Sequence, residues 1–121
     1  MTELTLYLPG GKMLVHLNES ETARAVLQGA PYQAQAQLWG KEIYFSIPLR
    51  LEPENPVKVV EKGDVAYWPP GQAICIFFGP TPGSGGGKIV PASPVNLIGK
   101  VEGAYSLLEQ VEAGDIVTLT F

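Results

Sequence analysis

Gly63–Pro82, GDVAYWPPGQAICIFFGPTP, sets two apolar segments on either side of a Pro69-Pro70-Gly71 corner and closes on Gly79-Pro80-Thr81-Pro82. β-branched and aromatic residues fill both arms, and turn formers occupy only the middle and the ends. That spacing predicts a buried hairpin of a small β-barrel.

The flanking sequence reads the same way. Leu4, Leu6 and Leu8 share one face of a strand, Pro9-Gly10-Gly11 turns the chain, and Met13, Val15 and Leu17 form the matching face of the returning strand. Asn18 and Ser20 offer N-cap oxygens to a short helix in which Ala23, Val26, Leu27 and Ala30 recur at helical spacing, ended by Gly29 and Pro31. Gln33–Leu38 alternates, with Ala34, Ala36 and Leu38 expected inward, and a Trp39-Gly40-Lys41 turn follows. Ile43, Phe45 and Ile47 give the next inward face. A proline-punctuated loop then leads to a short strand at Val57–Val60.

Beyond the hairpin, Gly79–Pro94 carries Gly83-Ser84-Gly85-Gly86-Gly87 among four prolines and reads as a mobile loop. Val95–Glu102 is strand-like, Leu107, Leu108 and Val111 mark a second short helix over Ala104–Val111, and Ile116–Phe121 is a closing strand. Glu61-Lys62-Gly63-Asp64-Val65 is echoed by Glu112-Ala113-Gly114-Asp115-Ile116, each a Gly-Asp turn entering a strand, which local backbone chemistry explains without a repeat architecture. The fold class expected is all-β: a closed eight-stranded antiparallel barrel with two short helices covering its ends, one domain over residues 1–121.

At 121 residues, such a domain buries about two thirds of the surface its unfolded chain exposes. Hydrophobic residues make up 45% and charged residues 17%, with a mean hydropathy of +0.11. The net charge of −4 and eight scattered basic residues oppose phosphate-driven binding, so no nucleic-acid partner is expected. Cys75 is the only cysteine; flanked by Ile74 and Ile76, it reads as a buried thiol, with no disulfide and no cysteine metal cluster. The amino-terminal alternation with Glu3 reads as a strand rather than a signal peptide. The longest apolar run, Ala73–Phe78, is far short of the roughly 20 residues of a membrane-spanning helix. A cytoplasmic protein with no membrane partner is expected.

Two further segments carry a family resemblance. Gly63-Asp64-Val65-Ala66-Tyr67-Trp68-Pro69-Pro70-Gly71 resembles the cyclophilin segment G-x-L-S-M-A-N-A-G in its glycine spacing. Val95-Asn96-Leu97-Ile98-Gly99-Lys100-Val101-Glu102-Gly103 resembles H-V-V-F-G-K-V-x-x-G, with a helix following in both. Over its whole length the chain is similar to the small prokaryotic cyclophilin-like proteins, marked by a G-D-[IV]-A-Y-W-P-P-G…C-I-F-F-G-P-T-P core and a P-A-S-P-V-N exit. The resemblance implies the cyclophilin-like barrel. The isomerase cyclophilins also carry an arginine just before an apolar run ending F-x-x-Q-G-G-D, and Tyr44–Glu52 here has one arginine, Arg50, without the glutamine or paired glycines. Val95 stands at the groove histidine, and Trp68 and Pro69 replace an Ala-Asn rim.

His16, the sole histidine, should point away from its strand's core face, and neither its position nor any motif supports a Ser-His-Asp site. No metal is expected, because the chain has one histidine, one buried cysteine and no clustered carboxylates, and no cofactor is implied. Gly83–Lys88 fails the phosphate-loop spacing at Pro82 and Ile89, leaving a flap over a groove as its functional reading. Trp68, held by two prolines, either plugs the barrel end or offers a flat apolar surface, and a cis Trp68–Pro69 bond is expected. The leading expectation is a binding module for a peptide or small organic ligand, in a shallow apolar groove near Trp68, Pro69, Phe77, Phe78 and Asn96. The alternatives are a peptidyl-prolyl cis-trans isomerase in which Arg50 or another donor polarises the amide, and, by fold analogy alone, a structural or assembly subunit.

Overall fold

In the computed structural model, which describes residues 2–121, the chain runs β1 (Thr2–Leu8), β2 (Gly11–Leu17), α1 (Glu21–Gly29), β3 (Tyr32–Gln35), β4 (Gln37–Leu38), β5 (Glu42–Ser46), β6 (Asp64–Trp68), β7 (Ala73–Phe77), β8 (Asn96–Glu102), α2 (Ser106–Glu109) and β9 (Ile116–Thr120). All pairings are antiparallel, in the order β3-β9-β1-β2-β8-β6-β7-β5-β4.

The two ends of that order are halves of one stretch of chain. Tyr32–Gln35 pairs with β9, whereas Gln37–Leu38 pairs with β5. Ala36 between them turns both backbone groups elsewhere: its N–H donates to the Asp115 carbonyl at 2.7 Å and its carbonyl accepts from Gly114 N–H at 2.8 Å. The result is a nearly closed barrel of nine strands. The strand expected over Gln33–Leu38 is broken at Ala36 and counts as two of the nine. The alternation read for it holds for Ala36 but not for Leu38, which is 40% exposed at the short β4 end.

The inward alternation of the opening hairpin holds throughout. Leu4 pairs with Val15 and Leu6 with Met13, all buried, and Ile43, Phe45, Val65, Tyr67, Ile74, Ile76 and Ile98 complete the interior with β9's Val117 and Leu119. α1 lays Ala23 and Val26 on this core and begins at Ser20, whose Oγ accepts from Ala23 N–H at 3.1 Å. Glu54 completes that helix start: its carboxylate accepts from the Glu21 and Thr22 N–H groups at 3.1 and 2.8 Å and from the Thr22 hydroxyl at 2.6 Å. These bonds to the charged form hold the Glu54 carboxyl below its ordinary range.

Every residue of β7 is buried, because its outer face is covered as well as its inner one. Ile74 and Ile76 face the barrel core, whereas Cys75 and Phe77 join Ala66, Val60 and Val95 in a second cluster outside the sheet. Val57–Val60, expected as a strand, contributes only two isolated bridges, Val57 to Val95 and Val60 to Ile89. Seven residues of the opposing segment, Ile89–Val95, span these four, so the two antiparallel bridges share no continuous register.

Two other expectations are corrected, and the base of the glycine-rich loop is defined. The second helix is a single turn, Ser106–Glu109, although Leu108 and Val111 are buried as its spacing implied. Ala30–Pro31 is the cis bond, and Trp68–Pro69 is trans. The glycine-rich segment is tied at its base: Ser84 Oγ accepts from Thr81 and Val90 N–H at 2.9 and 3.1 Å. Thr81 Oγ1 donates to the Val90 carbonyl across the neck, leaving Gly85–Gly87 as a small protruding turn.

The two Gly-Asp turns superpose in chemistry as their sequences suggest. Asp64 Oδ2 accepts from Glu61 N–H and Asp115 Oδ2 from Glu112 N–H, both at 2.8 Å. Gly63 and Gly114 stand at φ +93° and +95°, where a side chain would be strained.

Candidate functional site

Period-2 alternation along β5, β6 and β7 sends one set of side chains into the barrel and the other set outward. Glu42 and Tyr44 of β5, Trp68 of β6 and Cys75 of β7 belong to the outward set. Tyr44 is directly opposite Cys75, and Trp68 is opposite Ala73. The chain from Pro91 to Val95 lies over them, held by mutual Val57–Val95 backbone bonds of 2.9 and 3.1 Å. Between this strap and the sheet lies a cleft of about 180 Å³.

Three aromatic side chains, Trp39, Tyr44 and Trp68, line it, with Pro91, Ala92 and Val95 from the strap and Glu42 and Cys75 from the sheet. Trp68 is fixed from three sides. Its ring meets Tyr44 edge-on, with centroids 6.5 Å apart and planes at 71°. Its indole N–H donates to Ser93 Oγ at 2.6 Å. Its six-membered ring lies against Gly71, where a Cβ would sit 2.4 Å from Cε3 and Cζ3. The Pro-Pro-Gly corner, a single 3₁₀ turn over Pro69–Gly71, thus sets the indole against its own strand end.

Glu42 is the one carboxyl in the lining, and it is 6% exposed. Cys75 is its diagonal neighbour on the paired strand, and among the described residues no lysine, arginine or histidine pairs with it. Burial pushes the Glu42 carboxyl up to about 7, an effect the neighbouring thiol partly offsets. Cys75 is pushed well above its ordinary value, by burial first and then by the Glu42 charge, so it stays a thiol. Among the described residues the cleft is therefore lined by aromatic rings and by no lysine, arginine or histidine, and it holds one carboxyl poised near neutrality.

The model of the cyclophilin-like family matches residues 2–120. The chain belongs to that family. Its barrel is also similar to the solution structure of a hypothetical protein from Archaeoglobus fulgidus, at 41% identity and a TM-score of 0.80, covering 98% of this chain and 92% of that one. No curated protein matches the chain.

Within this cyclophilin-like barrel, the residues anticipated for a groove separate. Trp68 lines the cleft, as does Val95, which the resemblance sets at the groove histidine. Pro69 belongs to the corner beside it. Phe77 lies beneath, fully buried in the outer cluster, whereas Phe78 turns to the inner core with the Lys41 ammonium 5.8 Å from its ring. Asn96 is 1% exposed and clamps the α1 start: Oδ1 accepts from Glu54 N–H at 2.9 Å, and Nδ2 donates to the Glu52 carbonyl at 3.0 Å and to Thr22 Oγ1 at 3.2 Å. It is outside the lining.

Arg50 is exposed and also outside the lining. Its two neighbours are pinned by Tyr67, whose hydroxyl donates to the Leu49 carbonyl at 2.6 Å and accepts from Leu51 N–H at 3.0 Å. His16 lies between two carboxylates, Nδ1 2.9 Å from Glu3 and Nε2 2.5 Å from Glu102, so neither ring nitrogen meets a hydroxyl nucleophile. Among the described residues no group of three or more His, Cys, Asp or Glu side chains is placed to hold a metal ion, and no helix is long and apolar enough to cross a membrane.

Sequence reasoning missed Trp39, Glu42 and Tyr44 as cleft residues. The signal was the alternation in Glu42-Ile43-Tyr44-Phe45: once Ile43 and Phe45 face inward, Glu42 and Tyr44 must share the outward face with Cys75.

Proposed function

We propose that this protein is a binding module that takes a small organic ligand, or one side chain of a peptide, in the cleft of Trp39, Tyr44 and Trp68. The observation that carries this reading is the fixed orientation of Trp68. Tyr44, Ser93 and Gly71 hold it as a ready-made wall, so little side-chain freedom is lost when a ligand lands on it. A volume near 180 Å³ suits a fragment or single side chain rather than a drug-sized molecule.

Isomerase chemistry is not assigned to this cleft, since it contains no arginine and Arg50 lies elsewhere. An NMR fragment screen on ¹⁵N-labelled protein should move the amides and indole N–H groups of the lining, and Trp68→Ala should abolish those shifts while preserving the rest of the spectrum. Hits clustering elsewhere on the barrel would overturn the assignment. A protease-coupled prolyl-peptide assay run alongside should show no rate above background; activity lost on Arg50→Ala would restore the isomerase reading.

A further inference from the structure

Resting on the cleft as a ligand site, we infer that its occupant is a small organic ammonium ion, seated against the Trp39, Tyr44 and Trp68 rings with its positive charge toward the Glu42 carboxyl. Three observations converge with one general property of aromatic rings. The faces of aromatic rings are the negative part of their quadrupole and attract cations, above all alkylated ones that shed water cheaply. Tyr44 and Trp68 stand at 71° to one another, so they form two walls of a corner rather than one flat stack, and Trp39 lines the same space. Glu42 is more than nine-tenths buried in that space without a cationic partner among the described residues. Lys41, next to it in sequence, is directed instead to Phe78 and Glu109.

A buried carboxyl with no countercharge is expensive to keep ionised, and an entering cation supplies the missing charge. Among the described residues the other titratable side chains lining the cleft are Tyr44 and Cys75, neither of which carries a positive charge that would repel the ligand. A carboxylate ligand, in contrast, would meet the like charge of Glu42 and no cationic side chain in the lining.

The test uses three probes of one shape: choline, its neutral carbon isostere 3,3-dimethylbutan-1-ol, and the anionic 3,3-dimethylbutanoate, titrated into the protein at pH 8 and followed by NMR shifts of the Trp39 and Trp68 indole N–H groups. Choline should bind at least tenfold tighter than the alcohol, and the anion should not bind. Glu42→Gln should weaken choline roughly tenfold and so erase most of its margin over the alcohol. Because that preference is read within the unaltered protein, it stands whether or not the variant folds. Equal affinity for choline and the alcohol, or preference for the anion, would overturn the ammonium assignment and leave the cleft as a neutral apolar site. Silence from all three probes together with a blank fragment screen would overturn both readings.

Discussion

Glu42 and Cys75 are diagonal neighbours on the outer face of two paired strands, Glu42 opposite Phe77 and Cys75 opposite Tyr44, where the sheet is covered on both faces. Glu42 has a folded value of about 7 against an ordinary 4.5, so the fold prefers its neutral form. Its contribution to stability is whole below about pH 4.5 and is lost as the pH rises through 7. At about 1.4 kcal/mol per unit, discounted because the carboxyl faces an open cleft, the loss is roughly 2 kcal/mol. Urea unfolding at pH 5 and pH 8 should show wild type losing that much relative to Glu42→Gln. Parallel pH profiles would refute it.

Asn96 joins three elements with one buried amide. Replacing it by alanine orphans the Glu54 N–H and the Glu52 carbonyl, and loosens the carboxylate that caps α1. Asn96→Ala should cost about 2–3 kcal/mol in chemical denaturation. Binding at the aromatic cleft, measured below the denaturation midpoint, should not change. An affinity loss with stability intact would return Asn96 to the ligand site.

Gly71→Ala introduces a methyl group into the face of Trp68. The indole must swing away, breaking its bond to Ser93, and the strain should cost about 1–3 kcal/mol. The Trp68 indole N–H resonance should move upfield and exchange faster with solvent. An unchanged resonance would show that this glycine does not set the ring.

Gly99 tests the barrel wall itself. A Cβ there would lie 2.2 Å from the His16 carbonyl oxygen, a backbone atom that cannot rotate aside, so β2 and β8 would have to part. Gly99→Ala should destabilise by more than about 3 kcal/mol. Gly114→Ala, with open space around its φ of +95°, should cost only about 1–2 kcal/mol of backbone strain. Equal thermal shifts in the two variants would contradict this.

The strands were legible wherever one face was oily and the other wet. Leu4, Leu6, Met13 and Val15 announce their side by alternation alone, and the unbroken Ala73–Phe78 run signals cover on both faces. The break at Ala36 was not, because a change of partner strand is decided by Gly114 and Asp115, far along the chain. Trp68 was legible through its prolines. Phe77 and Phe78 could not both have lined one groove, since consecutive residues at a strand end point to opposite faces. Glu42 stayed hidden because a charge opening a strand usually meets water, and only the strap at Pro91–Val95 removes the water here.

The switch at Ala36 also bears on how the molecule behaves in company. Sheets present unsatisfied borders that recruit foreign strands, and here the borders amount to four residues at Tyr32–Gln35 and two at Gln37–Leu38, back to back in one covalent segment. A template that short gives a foreign strand little purchase.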